Sequence, residues 1–401
     1  MTLTVVGVGA DGWDGLPPRS RRAVEDAEVL RGSARQLALL PPSVAGERVP
    51  WPSPMLPEVA RLPAAHPGRR VVVLASGDPM LSGVGTTLVR LLGADAVEVL
   101  PAPSSASLAC ARLGWAVEET AVVTVVGRPV SLVVPHATPG RRLLVLGSDG
   151  RTPAAVAALL AERGLGASRL TVLARLGAAD EARFEGTAAG WPHADPDPLV
   201  VTAVEVAADP GAVPLAAVPG LPDDAYEHDG QLTKRDVRAV VLARLAPLPG
   251  QLLWDVGAGA GSIGIEWMRV HPSSRAVAVE ADAARAGRIG RNAVRLGVPD
   301  LRVVVGRAPA ALDGLPAPDA LFVGGGATAP GLLEACWAAL GPGGRLAVTA
   351  VTVQSEAVLA EWHARCGGSL TRISVAHAAP VGGFTGWKPA MPVTIWSVTR
   401  P

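Results

Sequence analysis

Residues 253–266 read LWDVGAGAGSIGIE. The apolar run Leu252–Val256 gives way at once to glycines at 257, 259, 261 and 264. A short apolar run stopped by glycine reads as a buried parallel strand, and the glycine-rich residues after it as a turn into a helix near Ser262. Glycine is used where a chain needs positive φ or where something approaches the backbone closely. The helix start adds free N–H groups and partial positive charge, which favour an anionic ligand group. The turn Gly257–Gly261, with Ala258 and Ala260 inside it, is therefore the first candidate site.

GAGSIG at 259–264 satisfies G-x-G-x-x-G, a pattern that alone does not name a ligand. Asp255 sits in the strand end, where it can hold the turn or a ligand's amino group. Glu280 closes the next strand, AVAVE, where a carboxylate can accept both hydroxyls of a ribose. Nicotinamide sites share such an acid, so Glu280 by itself does not discriminate. Together with the strand Asp319–Val323 and its GGG turn at 324–326, the set points to S-adenosylmethionine.

Outward from this turn, short β-branched runs alternate with Ala/Leu/Arg-rich helical stretches, which implies α/β layers. In the second half strands are expected at Leu252–Val256, Arg275–Val279, Leu301–Val305, Ala320–Val323, Arg345–Val351, Thr371–Ala376 and Val393–Thr399, preceded by a helix at Thr233–Leu245. In the first half they are expected at Leu3–Val8, Val71–Ala75, Val97–Leu100, Val122–Val126, Leu143–Leu146, Leu170–Ala174 and Leu199–Val204. The Pro-rich stretch Ala208–Asp224 has no helical period and reads as a linker, with 208–219 its core. Domains are thus expected at 1–207 and 220–401, in keeping with roughly 150 residues per domain.

The 401 residues carry 36 basic and 36 acidic groups, and 49% are hydrophobic. The first 210 residues hold 19 Arg against 21 acids, and the remainder 15 Arg and 2 Lys against 15 acids. Neither half offers the field that nucleic acid or a membrane surface would require. Cys110, Cys336 and Cys366 have no metal-ligand spacing and make no disulfide framework, so no metal is expected. No signal segment opens the chain and charges or Pro interrupt every long apolar run, so a cytoplasmic protein is expected.

These motifs carry a resemblance. GLPDDAYEHDGQLTKRDVRAVVLARL (220–245), the glycine turn, VVVGRAPAAL (303–312), DALFVGGG and GGRLAVTAVT (343–352) resemble the precorrin methyltransferases of cobalamin biosynthesis. The likeness spans 220–401 and implies a Rossmann-like fold, with S-adenosylmethionine contacts at Thr233, Gly257–Gly261, Glu280 and Ala308. Arg307 stands where such enzymes often carry Asp, so Ala308 is expected to act through its backbone.

The opening TVVGVGADG (4–12), VVVLASGDPMLSGVGTTL (71–88), PAPSSASLACARLGW (101–115), VVGRPV (125–130) and ARLGAADEARFEGT (174–187) resemble the tetrapyrrole methylases. That likeness implies a two-subdomain fold with the cofactor between subdomains, contacted by Gly77, Asp78, Leu81, Ser104, Ser105, Leu176 and Gly177. The opening GADG departs from the family's usual Gly-Pro-Gly-Asp, and Val126 replaces a common His. Both halves in one chain resemble the fused, decarboxylating precorrin-6Y methyltransferase family. This implies methylation of precorrin-6Y at carbons 5 and 15, loss of the ring C acetate carboxyl as carbon dioxide, and precorrin-8X as product.

Methyl transfer to an enamine-like carbon asks for alignment more than for a strong base, and alignment can supply roughly 7–11 kcal/mol. The lack of a Ser–His–Asp or metal constellation fits this. Cationic anchors are expected for the substrate's carboxylates, with Lys234, Arg235 and Arg238 beside the cofactor motif. Lys234 is assigned to a substrate carboxylate, against a solvated helix face. Glu266 is assigned to acetate orientation or proton delivery, against an ordinary acid at a helix start. Trp387 and Lys388 are read as a packed loop rather than a lid over the macrocycle, and His228, His363 and His377 as surface or satisfied core groups.

A homo-oligomer is expected by analogy. The competing reading is an RNA or other small-molecule methyltransferase in the second half, with a non-catalytic tetrapyrrole-binding first half. A net charge of only +2 on that second half and the lack of an Asn-Pro-Pro-Tyr-type base pocket speak against RNA.

Overall fold

The computed structural model describes residues 3–213, 215–216 and 218–401; Met1 and Thr2 of the first expected domain, and Pro214 and Ala217 of the expected linker, lie outside the described residues. The chain forms two compact units, Met1–Val130 with Pro139–Val213, and Ser131–Thr138 with Pro214–Pro401.

In the first unit the strands are β1 (Leu3–Val8), β2 (Val29–Gly32), β3 (Glu47–Pro50), β4 (Val71–Ser76), β5 (Val97–Leu100), β6 (Thr120–Thr124), β7 (Arg142–Leu146), β8 (Arg169–Ala174), β9 (Ala182–Thr187) and β10 (Val200–Glu205). Its helices are α1 (Pro18–Glu25), α2 (Ala34–Ala38), α3 (Leu56–Ala65), α4 (Val84–Leu92), α5 (Ser105–Leu113) and α6 (Thr152–Ala161). One parallel sheet runs β3-β2-β4-β1-β5, and a second, mixed sheet runs β6-β7-β10-β8-β9. Alternate side chains of a strand point to opposite faces, and β1 obeys the rule. Val6 and Val8 enter one core cluster with Leu30, Val72 and Leu74; Leu3 and Val5 enter another with Val29, Val71 and Val73.

The second unit holds helices α7 (Arg235–Leu245), α8 (Ser262–Val270), α9 (Ala283–Arg295), α10 (Leu332–Ala339) and α11 (Val353–Cys366). Its strands are β11 (Leu252–Val256), β12 (Arg275–Glu280), β13 (Arg302–Val305), β14 (Ala320–Val323), β15 (Arg345–Ala350), β16 (Ser369–Ile373), β17 (Ala376–Val381), β18 (Phe384–Pro389) and β19 (Val393–Thr399). Seven of them form a sheet in the order β13-β12-β11-β14-β15-β19-β16, and β17 and β18 form a separate hairpin. Strand order reverses on either side of β11, with β12 on one flank and β14 on the other, all parallel. In open α/β sheets a ligand crevice lies beyond the strand ends at such a reversal.

β11 is buried along its whole length. Leu253 points into one core cluster, and Leu252, Trp254 and Val256 into the other. Side chains of this kind stabilise by about 1.5–3 kcal/mol each when fully buried.

The α/β layers, with two sheets in the first unit and one seven-stranded sheet in the second, match the expected fold class. α7 starts two residues later than expected, because Lys234 takes extended dihedrals (φ −62°, ψ 149°) and stands as the N-cap. Residues 376–389 form the exposed hairpin instead of a packed loop: Trp387 is 75% exposed and Phe384 85%. No helix among the described residues is long and apolar enough to cross a membrane.

Candidate active sites

In the first unit three loops meet beyond the ends of the adjacent strands β4, β1 and β5. Gly77 comes directly after β4 at φ +59° and donates its N–H to the Val8 carbonyl at 2.9 Å. A Cβ on Gly7 would lie 2.1 Å from the Gly77 carbonyl oxygen, and one on Gly77 would lie 3.2 Å from that of Pro103. The approach that excludes side chains here is backbone on backbone. Asp78 Oδ1 accepts from the Met80 amide at 2.8 Å, which leaves Oδ2 for an incoming cation.

Ser104 caps α5, its Oγ accepting from the Ser107 amide at 3.0 Å, so Ser105 opens the helix. Leu81 packs in one cluster with Leu176 and with Ala106 and Ala109 of α5. Gly177, at φ +91°, donates to Glu181 Oε2 at 2.9 Å. Arg112 of α5 grips Glu181 through both carboxylate oxygens at 2.8 and 3.1 Å. Gly77 thus lies against the start of α5, and Leu81, Leu176 and Gly177 lie along the body of the same helix. Arg112 and Glu181 escape sequence reasoning, since nothing local marks an Arg and a Glu 69 residues apart as partners.

The opening loop folds around its own acid: a Cβ on Gly9 would stand 2.3 Å, and one on Gly15 1.9 Å, from Asp11 carboxylate oxygens. Val126 is 58% exposed, and the loop it begins is held by Ser148, which accepts from the Gly127 amide at 3.1 Å and donates to the Val125 carbonyl at 2.6 Å.

In the second unit Gly257, Gly259 and Gly261 have φ of +69°, +58° and +78°. Each also faces protein where a Cβ would stand. The nearest atoms are the Gly325 backbone at 3.3 Å, the Gln231 carbonyl oxygen at 2.7 Å and Ile289 Cγ2 at 2.7 Å. Glu280, buried, accepts from the Gly259 amide at 2.8 Å through Oε2 and from the Asp282 amide at 3.0 Å through Oε1. Each oxygen keeps a second lone-pair direction. Asp255 is 1% exposed; its Oδ2 accepts from the Gly264 amide at 2.9 Å, and its buried Oδ1 meets no donor. Burial first, and then the charge of Glu280, push its carboxyl up to about 7.

Thr233 ends the segment that lies against this turn, and its carbonyl accepts from Arg238 Nη1 at 2.5 Å. Ala308 stands in the loop after β13, where Gly306 donates to the Glu280 carbonyl at 2.9 Å and ties that loop to the end of β12. The expected contacts of this half are therefore assembled around β11, β12 and β13.

Lys234 stands 55% exposed, 3.9 Å from Asp223, and lines a cleft of about 740 Å³. Arg235, Asp236, His377 and Met391 share that cleft.

Two expectations need correction. Arg238 is 0% exposed, so it cannot anchor a substrate carboxylate; it pairs with Glu266 at 2.6 Å and Asp223 at 3.2 Å and donates to the Leu221 carbonyl. Glu266 does not project toward the turn. It is 2% exposed and saturated by the Gly220 and Leu221 amides (2.6 and 3.0 Å), the Tyr226 hydroxyl (2.8 Å) and Arg238. Burial, with the Glu266 charge beside it, pushes the Tyr226 phenol well above its ordinary range, which keeps it a donor.

Two family models match, the Tetrapyrrole (Corrin/Porphyrin) Methylases at residues 2–190 and the Precorrin methyltransferase domain at 224–400. The precorrin-6Y C(5,15)-methyltransferase (decarboxylating) of Sinorhizobium sp is 53% identical over 400 residues, which is 99% of this chain and 96% of that protein. The chain belongs to the precorrin-6Y C(5,15)-methyltransferase (decarboxylating) family.

A partial relative of this precorrin-6Y methyltransferase family member is the cobalt-precorrin-7 C(5)-methyltransferase of Salmonella typhimurium, 33% identical over 43% of this chain and 83% of its own length. The crystal structure of the C-terminal domain of precorrin-6Y C5,15-methyltransferase from Rhodobacter capsulatus is 45% identical, covering 46% of this chain and all of that one, with a TM-score of 0.44.

The residues present fit a sulfonium donor carrying an adenosyl group. Glu280 retains acceptor positions for two hydroxyls, Asp78 keeps a carboxylate oxygen for an ammonium, and Gly77 and Gly257 keep part of their surface in solvent. Among the described residues no group of three or more His, Cys, Asp or Glu is arranged to hold a metal ion.

Proposed function

We propose that the chain methylates precorrin-6Y at carbon 5 in the first unit and at carbon 15 in the second, where it also removes the ring C acetate carboxyl, giving precorrin-8X. The observation that carries this reading is the full-length match to a relative so named, supported by a separate glycine turn with its own acid in each unit. S-adenosylmethionine supplies the methyl group at both: the sulfur–methyl bond breaks, its electron pair stays on sulfur, the new carbon–carbon bond uses the macrocycle's π electrons, and the macrocycle releases one proton to solvent for each methyl gained.

The chain's own residues bind and align. In the second unit Glu280 receives ribose hydroxyls, Gly257–Gly261 presents backbone, Thr233 and Ala308 flank the donor, and Asp255 holds the helix start through Gly264. In the first unit Asp78 receives the methionine ammonium, with Gly77, Leu81, Ser104, Ser105, Leu176 and Gly177 shaping the crevice. Lys234, exposed and next in sequence to Thr233, receives a substrate carboxylate in the cleft it lines. Successive Cα atoms are about 3.8 Å apart, so the cleft adjoins the donor.

In the decarboxylation the bond to the carboxyl breaks, its electron pair enters the conjugated ring, and a proton restores the methyl carbon. Glu266, saturated by four donors, is not the source of that proton.

Separate crippling of the crevices tests the reading. Glu280→Ala gives product lacking the carbon 15 methyl, and Asp78→Ala product lacking the carbon 5 methyl. Loss of both methyls from either single variant refutes the division of labour.

A further inference from the structure

The stretch Gly220–Thr233 is a strap held from three helices, by Arg238 of α7 through Leu221, Asp223 and Thr233 and by groups of α8 and α9. Glu266 of α8 takes its first two amides and Tyr226. From α9, Arg285 and Arg288 hold Asp229 at 2.9 and 3.1 Å, and Arg291 holds Glu227 at 2.9 Å. One side chain joins the strap to the glycine turn. Asn292, 0% exposed, accepts from the Glu227 amide at 2.9 Å through Oδ1; its Nδ2 donates to the Glu227 carbonyl and to the Ala260 carbonyl, both at 3.0 Å.

We infer that Asn292 is a positioning residue for methyl transfer in the second unit, setting the separation between the strap that ends in Thr233 and the turn Gly257–Gly261. The inference rests on the proposed reading that these two segments hold the donor. The chemistry of the side chain is specific to the task. A primary amide offers an acceptor and two donors on one short stem, and all three are used. A carboxylate in its place would face two carbonyls, and an alanine would strand the buried Ala260 carbonyl and two partly buried backbone groups of Glu227. Positions 285, 288 and 292 lie three and four apart, so one face of α9 carries both the ionic hold and the amide bridge. Asn292 touches no reacting atom; it acts through the two segments it spaces.

The test is product-resolved kinetics on the full chain, with S-adenosylmethionine varied at saturating tetrapyrrole. Asn292→Ser and Asn292→Ala raise the donor KM for carbon 15 methylation by roughly tenfold or more, as loss of a buried hydrogen-bonded amide implies. The kcat of that step changes little, and both constants for carbon 5 stay unchanged as an internal control. Asp229→Asn, which loosens the strap from outside the core, raises the same KM by a smaller factor and decides the matter if the Asn292 variants do not fold. An unchanged carbon 15 donor KM in the folded variants, or a fall in kcat alone, overturns the inference. Failure of the underlying reading looks different: the unaltered chain would bind fewer than two equivalents of S-adenosylhomocysteine.

Discussion

Gln231 lays its carbonyl oxygen 2.7 Å from the point where a Cβ on Gly259 would stand. The second glycine of the turn is thus fixed by the protein's own strap and by its φ of +58°. Gly259→Ala is expected to cost about 1–2 kcal/mol from the left-handed backbone alone, plus the displacement of the strap. Carbon 15 methylation should fall sharply while carbon 5 methylation persists. Gly325→Ala, where a Cβ meets nothing within 4 Å, should be tolerated. Thermal melts and product analysis of the two variants check the contrast.

Glu266 is a keystone of packing. Glu266→Ala leaves buried Arg238 with Asp223 alone and strands the Gly220 and Leu221 amides and the Tyr226 hydroxyl, and breaking a buried pair of this class costs about 3–5 kcal/mol. The expected outcome is a marked drop in thermal midpoint, with the ratio of decarboxylation to carbon 15 methylation unchanged in the protein that remains folded. A stable variant that methylates carbon 15 but keeps the acetate carboxyl would instead make Glu266 catalytic.

Asp255 predicts a pH dependence. Its folded carboxyl is raised to about 7 from 3.8, burial being the main cause. Between these values the folded chain holds a proton that the unfolded chain has released, so this contribution to stability is full below about pH 4 and is lost as pH rises through about 7. Asp255→Asn keeps an acceptor for Gly264 and removes the titration. Its thermal midpoint should therefore vary less between about pH 5 and 8 than that of the unaltered chain. Equal slopes would contradict the assignment.

Lys234 borders the cleft with half its side chain in solvent, 3.9 Å from Asp223. Lys234→Ala should raise the tetrapyrrole KM for carbon 15 methylation, by roughly tenfold at most for one partly exposed charge, and leave the donor KM alone. A change in donor KM instead would move Lys234 to the donor crevice.

Much of the fold is legible in the residues, for physical reasons. β11 can be read to the residue because both its faces are buried and glycine stops it. β2 (VLRG) and β3 (ERVP) escape because charged residues and a closing Gly32 or Pro50 break their apolar runs; β9 escapes because its side chains alternate between half-buried and exposed with little apolar signal. The hairpin β17–β18 carries no buried face, and only the Gly382-Gly383 pair at its tip announces it. For Glu266 the signal lies in its own helix. From Ser262 to Arg269 every residue of α8 is buried, and an acid inside such a helix must be paired. Its partners, 28 to 46 residues away, are beyond any local pattern, as are those of Asn292.

The central claim is that one chain performs two methyl transfers and one decarboxylation. The most direct measurement is the mass of the product formed from precorrin-6Y and methyl-labelled S-adenosylmethionine by the purified protein. Two labelled methyl groups gained and one carbon dioxide lost is the predicted result. A product with a single label, or with two labels and its ring C acetate intact, would contradict it.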